Sequence, residues 1–288
     1  VTAFTPALAV ANAVLYEGYI LFPYTASARK NRIRWQFGVI VPAEYAKRGT
    51  GESASAQTEI FLEGDDDSQA DVLVRFLQVE QRQVYAWDGA SFEPVESLTV
   101  GAQRYITFDE GIEREVPVNL RAGDTRIAVP IAYADEENAE PIRDERDVLR
   151  GRIVRRRWPL HGVVRVECER VAQEPALRKL RIVIENHSGV VAGERSSALR
   201  TAFVSSHTLL HATGGTFLSA LDPPPEFTLA DSALVNRHTW PVLVSPGEQD
   251  VPREARDERR SRLVLSSPII LYDFPAVAAQ SEGDTFDA

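Results

Sequence analysis

The chain is 288 residues long, and its 44% hydrophobic and 26% charged residues match ordinary soluble globular proteins, which excludes disordered and membrane-embedded classes. Its formal net charge of −10 and pI of about 5.1 argue against a surface that gathers phosphate backbones or anionic lipid. The length allows one large β architecture or two smaller domains.

Residues 1–14 are Ala-rich but carry neither a basic leader nor a long apolar stretch, so no secretory signal is expected. No apolar run approaches the ~20 residues that cross a bilayer, so membrane insertion is not expected and the predicted address is the cytoplasm. Residues 14–22 are rich in aromatic and branched side chains and stop at Pro23, which cannot donate to a sheet ladder; they predict a strand. Residues 33–41 begin with period-two alternation and predict a second strand closed by Pro42. Residues 44–56, with their Gly and Ser clusters, read as a mobile loop. Strands are predicted over 57–62, 72–79 and 83–87, the last followed by the turn dipeptide Asp88-Gly89. The middle run also fits a helical turn, with strand favoured, and Asp65, Asp66 and Asp67 read as an acidic turn tip. Short strands fit 103–108, 114–118 and 126–133.

Residues 134–147 crowd Asp135, Glu136, Glu137, Glu140, Asp144, Glu145 and Asp147 around Pro141, with almost no large apolar side chain. Such a segment cannot bury itself. It predicts an acidic linker or excursion between an N-terminal β domain (1–133) and a C-terminal β-rich domain (148–288), with one continuous unit as the alternative. Strands follow at 149–155, 162–170 and 177–185. In the middle one Val164, Val166 and Cys168 alternate with Arg165, Glu167 and Glu169, so one face is buried. Gly214-Gly215, between apolar arms, predicts a hairpin because both glycines tolerate positive φ. A short helix is predicted near 229–235, residues 254–262 are either a solvated helix or a loop, and 263–272 form a last strand interrupted by Pro268. The fold expected is mainly β: antiparallel sandwich-like sheets with long loops and one or two short helices, and no fixed-period repeat.

His207 and His211, four apart, could join His238 and Asp222 in the metal site of a metal-dependent enzyme. Their H-T-L-L-H phrase lacks the glutamate of H-E-x-x-H, and in a strand the two histidines stand about 13 Å apart. No metal is therefore expected. Ser205 and Ser206 lack the glycine elbow of a nucleophilic serine and read as exposed strand serines. A calcium loop begun at Asp65 would need glycine and glutamate where Ala70 and Phe76 stand. The phrase Gly49-Thr50-Gly51-Glu52-Ser53 has neither the lysine nor the spacing of a phosphate loop. The single cysteine, Cys168, can form no intrachain disulfide and no cysteine-based metal site by itself. No catalytic residue and no cofactor is expected. Arg150, Arg152, Arg155, Arg156 and Arg157 with Trp158 could grip a nucleic-acid strand, but pairing with the preceding acidic run is the more economical account, so nucleic acid is not an expected partner.

Tyr16, Tyr19, Tyr24 and Trp35, interleaved with Arg29, Lys30, Arg32 and Arg34, are the residue types enriched at interface hot spots. They read either as a partner-binding surface or as the aromatic core face of a sheet.

The phrases V-L-Y-E-G-Y (14–19), S-A-R-K-N-R (27–32) and R-W-Q-F-G (34–38) are similar to the start of an uncharacterised protein family encoded beside actinobacterial-type nickel-iron uptake hydrogenase genes. F-V-S-S-H-T (203–208), L-D-P-P (221–224), W-P-V-L-V (240–244) and S-S-P-I-I-L-Y-D (266–273) resemble it too. The resemblance touches both halves of the chain and implies relatives that continue beyond Tyr272. It supplies no catalytic residues. It implies a non-enzymatic accessory or interaction protein whose partners are hydrogenase subunits or maturation proteins.

Overall fold

The computed structural model describes residues 2–16, 37–121, 123–172, 174–189, 193–227, 233–246 and 257–275. The fold is mainly β with antiparallel sheets and short helices, as the sequence predicts. Among the described residues no helix is long and apolar enough to cross a membrane.

One strand organises the sheet. β1, Ser55–Trp87, runs 33 residues without a break, and the backbone donors and acceptors along that length need partners. It finds them by changing neighbours along each edge. One edge pairs with β10 (Glu174–Asn186), then β5 (Phe108–Leu120), then β2 (Phe92–Val95). The other pairs with β11 (Val204–Leu218), then β8 (Leu149–Arg157). From these partners the sheet spreads. β9 (Leu160–Val171) adds to β10, and β6 (Arg126–Tyr133) to β9. β14 (Leu263–Ser267) and β13 (Arg260–Ser261) add to β11, and β12 (Trp240–Val244) to β14. β7 (Glu136–Arg143) adds to β8, giving twelve strands, while β3 (Ser97–Val100) and β4 (Gln103–Ile106) form a separate pair.

The runs predicted at 57–62, 72–79 and 83–87 are thus parts of one strand. The acidic tip between the first two is a bulge rather than a turn: β10 leaves at Glu63, β5 arrives at Ala70, and the register with β11 shifts between Gly64 and Gln69. Asp65, Asp66 and Asp67 are exposed there, while the Ser68 hydroxyl turns inward to donate to the Gly214 carbonyl at 2.8 Å. The predicted Gly214-Gly215 hairpin is likewise a bend within a continuous β11. Gly214 supplies φ of 77°, and a Cβ on Gly215 would lie 2.5 Å from the Glu63 carbonyl, so the glycines let β11 follow the bulge.

Both faces of the middle of β1 are buried, which is why its sequence reads as a near-continuous apolar run. Val72, Val74 and Phe76 enter a core with Val116 and Val118 of β5 and with Val164, Leu180 and Ile182 of β9 and β10. Leu73, Leu77 and Val79 enter a second core with Leu209, Val242, Leu263 and Leu265. That second core is covered by α1 (Thr5–Ala11), begun with a proline in its first turn, and the π-helical turn Asn12–Tyr16. Residues 14–16 are therefore helical where a strand was predicted, because the buried Ala7, Val10, Ala11 and Leu15 follow helical spacing; residues 17–22 lie outside the described set.

Of the second predicted strand, 33–36 lie outside the described residues, and the remainder contributes only an isolated bridge from Ile40 to Phe203 and Ser53. The predicted loop at 44–56 opens in α2 (Ala43–Ala46), and a further short helix, α3 (Arg195–Leu199), precedes β11. The helix predicted near 229–235 falls largely outside the described residues, and 233–236 have no regular structure. The 257–259 part of the 254–262 run forms a turn into β13, and β14 stops at Ser267, before Pro268.

Within the stretch 134–147, Glu136–Arg143 form the edge strand β7 rather than a linker. It has an apolar anchor in Ile142, buried with Val84 and Ile153, and its carboxylates face the arginines of β8. Glu136 pairs with Arg157, Glu140 with Arg155 at 3.0 Å, and Asp144 with Arg150 at 2.8 Å. Backbone ladder bonds and cross-strand charge pairs hold a segment that has little to bury. β1, from the first predicted domain, pairs with β8, β10 and β11 of the second.

Truncating Phe76, fully buried between the layers, should lower unfolding free energy by about 3–5 kcal/mol. Urea unfolding of Phe76→Ala checks this, and the denaturant slope should not change.

Candidate functional site

β11 carries a second irregularity where it approaches the end of its pairing with β1. Arg75 is opposite His207 and Leu77 opposite Val204, so β11 holds one residue more than β1 over that step. Ser205 takes φ of 50°, and the bulge is fastened by the segment before Ile40: the Ser205 N–H donates to the Phe37 carbonyl at 3.1 Å and the Ser206 N–H to the Gly38 carbonyl at 2.9 Å. At Gly38, φ is 58° and a Cβ would sit 2.7 Å from Pro268 Cγ and 2.9 Å from the Ser206 nitrogen. Only glycine permits this approach. Bulges re-aim side chains, and here His207 and Ser206 enter different environments.

His207 enters the core beneath the N-terminal helical turn. Its Nδ1–H donates to the Ser205 carbonyl at 2.7 Å, and the Tyr16 ring meets it edge-on at 5.3 Å. Its cross-strand neighbour Arg75 is buried as well. Arg75 donates to Glu113 at 2.7 Å, to Glu115 at 3.0 Å and to Asn12 Oδ1 at 2.9 Å, and its guanidinium lies 4.8 Å from the Tyr16 ring centre. Both carboxylates come from β5 and reach water, so each nitrogen of the buried cation has a bonded partner while its counter-charges stay solvated. Burial, opposed by the bond to Ser205 and reinforced by Arg75, pushes His207 down to about 3. Burial likewise raises the Tyr16 hydroxyl well above its ordinary value.

Ser206 lines a cavity of about 220 Å³, with Phe37, Glu52, His238, Trp240 and Pro268 among its walls. Its hydroxyl is buried. His238 holds φ of 61°, fixed on one side by paired backbone bonds between Arg237 and Gln57 and on the other by the Thr239 hydroxyl, 2.8 Å from that of Ser266. Backbone strain maintained by bonds on both sides is a mark of positioned functional residues. Glu52 accepts from Arg195 at 2.9 Å. Of its apolar walls, Phe37 (54% exposed) and Trp240 (39%) reach the surface, and in the segment after Pro268 Ile270 (70%) and Tyr272 (85%) are exposed.

The residues singled out in the sequence are distributed differently. Tyr16 is buried in the helical turn rather than on a sheet face, whereas Tyr19, Tyr24, Arg29, Lys30, Arg32, Arg34 and Trp35 lie outside the described residues. His207, His211, His238 and Asp222 do not converge. His211 packs on Phe4 with its Nδ1 4.0 Å from Asp71, His238 borders the cavity, and Asp222 pairs with Arg259 at 2.8 Å. Among the described residues no group of three or more His, Cys, Asp or Glu is placed to hold a metal. Ser205 and Ser206 are buried rather than exposed, because the bulge lies under the 37–40 segment. Besides its pairs with β7, β8 places Arg152 over the Phe92 ring at 4.3 Å and Arg156 over Trp158 at 5.0 Å, so the arginine cluster serves intramolecular contacts. Burial pushes the Cys168 thiol up, away from the reactive thiolate form.

Trp240 and Gly38 were not legible as site residues, and His238 was singled out only as an alternative metal ligand, although the Trp240-Pro241 step, an aromatic beside a residue confined to sheet edges, is a local signal. No protein-family model matches the chain, and no curated protein matches it.

His207 is neutral when folded and titrates near 6.5 when unfolded, so between about pH 6.5 and 3 the unfolded chain binds the extra proton and stability falls as pH falls. The wild type should lose about 1.4 kcal/mol more per pH unit across that window than His207→Phe, which keeps a ring against Tyr16. Parallel stability curves for the two proteins in denaturant titrations at stepped pH would count against this assignment.

Proposed function

We propose that this chain is a non-enzymatic accessory or interaction protein that works with a nickel-iron hydrogenase or its assembly machinery. The observation that carries the interaction reading is the set of exposed apolar side chains at the cavity, Phe37 and Trp240, together with Ile270 and Tyr272 in the segment after Pro268. Aromatic residues bordering a pocket are the usual anchors of protein interfaces. The phrases over residues 240–244 and 266–273 that resemble the hydrogenase-neighbourhood family include Trp240 and Tyr272. Support for the hydrogenase as partner comes from that resemblance.

A tagged protein captured from its native host should retain hydrogenase subunits or maturation proteins identified by mass spectrometry. The double substitution Trp240→Ser and Tyr272→Ser should reduce that recovery tenfold or more, since each anchor contributes upwards of about 1–2 kcal/mol. Failure to recover any hydrogenase component, with unchanged hydrogenase activity in a deletion strain, would overturn the proposal.

A further inference from the structure

Apart from the two-residue β13, the strands of the large sheet that pair on one side only among the described residues are β2, β5, β6, β7 and β12. Each carries one proline: Pro94, Pro117, Pro130, Pro141 and Pro241. The strands with neighbours on both sides carry none within their doubly paired lengths; Pro175 of β10 precedes its first partner on β1, at Leu177. That interior strands lack proline follows from its missing N–H. That every one of these margins has a proline does not follow from it.

The margins differ in what else guards them. β5 carries Glu110, Glu113, Arg114 and Glu115, and β7 carries Glu136, Glu137, Glu140 and Arg143. On β12 the outer groups of Leu243 are occupied, its N–H donating to Asp273 at 2.7 Å and its carbonyl accepting from the Phe274 N–H at 2.7 Å. β6 is different: from Ile127 to Tyr133 it has no charged residue, and its exposed side chains Ala128, Pro130 and Ala132 are small. Charge and bulk on an edge strand discourage pairing with another molecule, and here neither is present.

The direction of the Pro130 nitrogen follows from the ladder. The Cys168 N–H donates to the Thr125 carbonyl at 2.9 Å, so Cys168 and, by alternation, Val166 and Val164 turn their backbone groups toward β6. Their partners Ile127 and Val129 turn back toward β9. Pro130 therefore points its nitrogen to the open margin, between the outward N–H groups of Ala128 and Ala132. We propose that Pro130 keeps β6 from pairing with β6 of a second copy of this chain. In an antiparallel pair of two such strands the ring removes the central donor of each and occupies the space the neighbouring backbone would take. With valine at 130, the uncharged run from Ile127 to Tyr133 would present a complete row of donors and acceptors. The inference concerns self-association alone and does not depend on the hydrogenase reading.

The test compares the full-length wild type with Pro130→Val and Pro141→Val by sedimentation velocity over a range of concentrations, with amide hydrogen exchange on the same samples. Pro130→Val should shift with concentration to twice the mass of the wild type, and the Ala128 and Ala132 amides should exchange more slowly in the associated form. Pro141→Val, on a margin already charged, should sediment as the wild type does. Pro130→Val remaining at the wild-type mass would overturn the inference, as would association that leaves the β6 amides unprotected or an equal shift in Pro141→Val. If Pro130→Val does not fold, the wild type decides: Ala128 and Ala132 should exchange rapidly, and protected amides there would mean the margin is closed by something other than its proline.

Discussion

A strand of 33 residues exposes more backbone hydrogen-bonding capacity than any one neighbour of ordinary length can satisfy, and the architecture follows from how β1 meets that requirement. β10, β5 and β2 share one edge, and β11 and β8 the other. Because the exchanges on the two edges are staggered, β1 passes from the β10 side of the molecule to the β8 side without an unpaired gap common to both edges beyond the bulge at 65–68. The same staggering makes β1 the shared member of layers that would otherwise be separate sheets.

The register shifts in the pairing of β1 with β11 fall beside these exchanges. At the first, the aspartate bulge in β1 is matched by the two glycines of β11. At the second, just before β8 replaces β11, the bulge at Ser205 and Ser206 leaves Ser206 beside the cavity and His207 opposite Arg75. Arg75 shows how a cation is tolerated between two apolar cores: β5 brings Glu113 and Glu115 from the register positions beside it, and the helical turn supplies Asn12 and the Tyr16 face. The N-terminal segment therefore closes a polar site as well as an apolar one.

Period-two alternation made β9 and β10 legible, since each has one face in the core and one carrying charge. The same logic failed where environment overrides pattern. β7 has almost no apolar content, and its stability comes from β8, which a local reading does not include. The Gly-Gly phrase was correctly assigned positive φ at Gly214 but not its use, because a bend beside a bulge and a hairpin require the same residue. The cavity was not legible because its walls come from stretches far apart in sequence. The intramolecular pairing of the arginine cluster was legible because opposite charges stood close in sequence, a signal that survives ignorance of topology.

The distance along the chain between β1 and its partners also shapes how the protein emerges from the ribosome. β1 is complete at Trp87, yet β10 and β11 end at Asn186 and Leu218. At roughly 5–20 residues per second, translation leaves the strand waiting on the order of ten seconds for those neighbours. During that interval its apolar centre is a candidate for pairing with another nascent copy. Asp65, Asp66 and Asp67 on one side, and Glu80 and Arg82 on the other, bracket that centre with charge. Placed so, they act as gatekeepers against intermolecular strand pairing before the sheet exists to protect it.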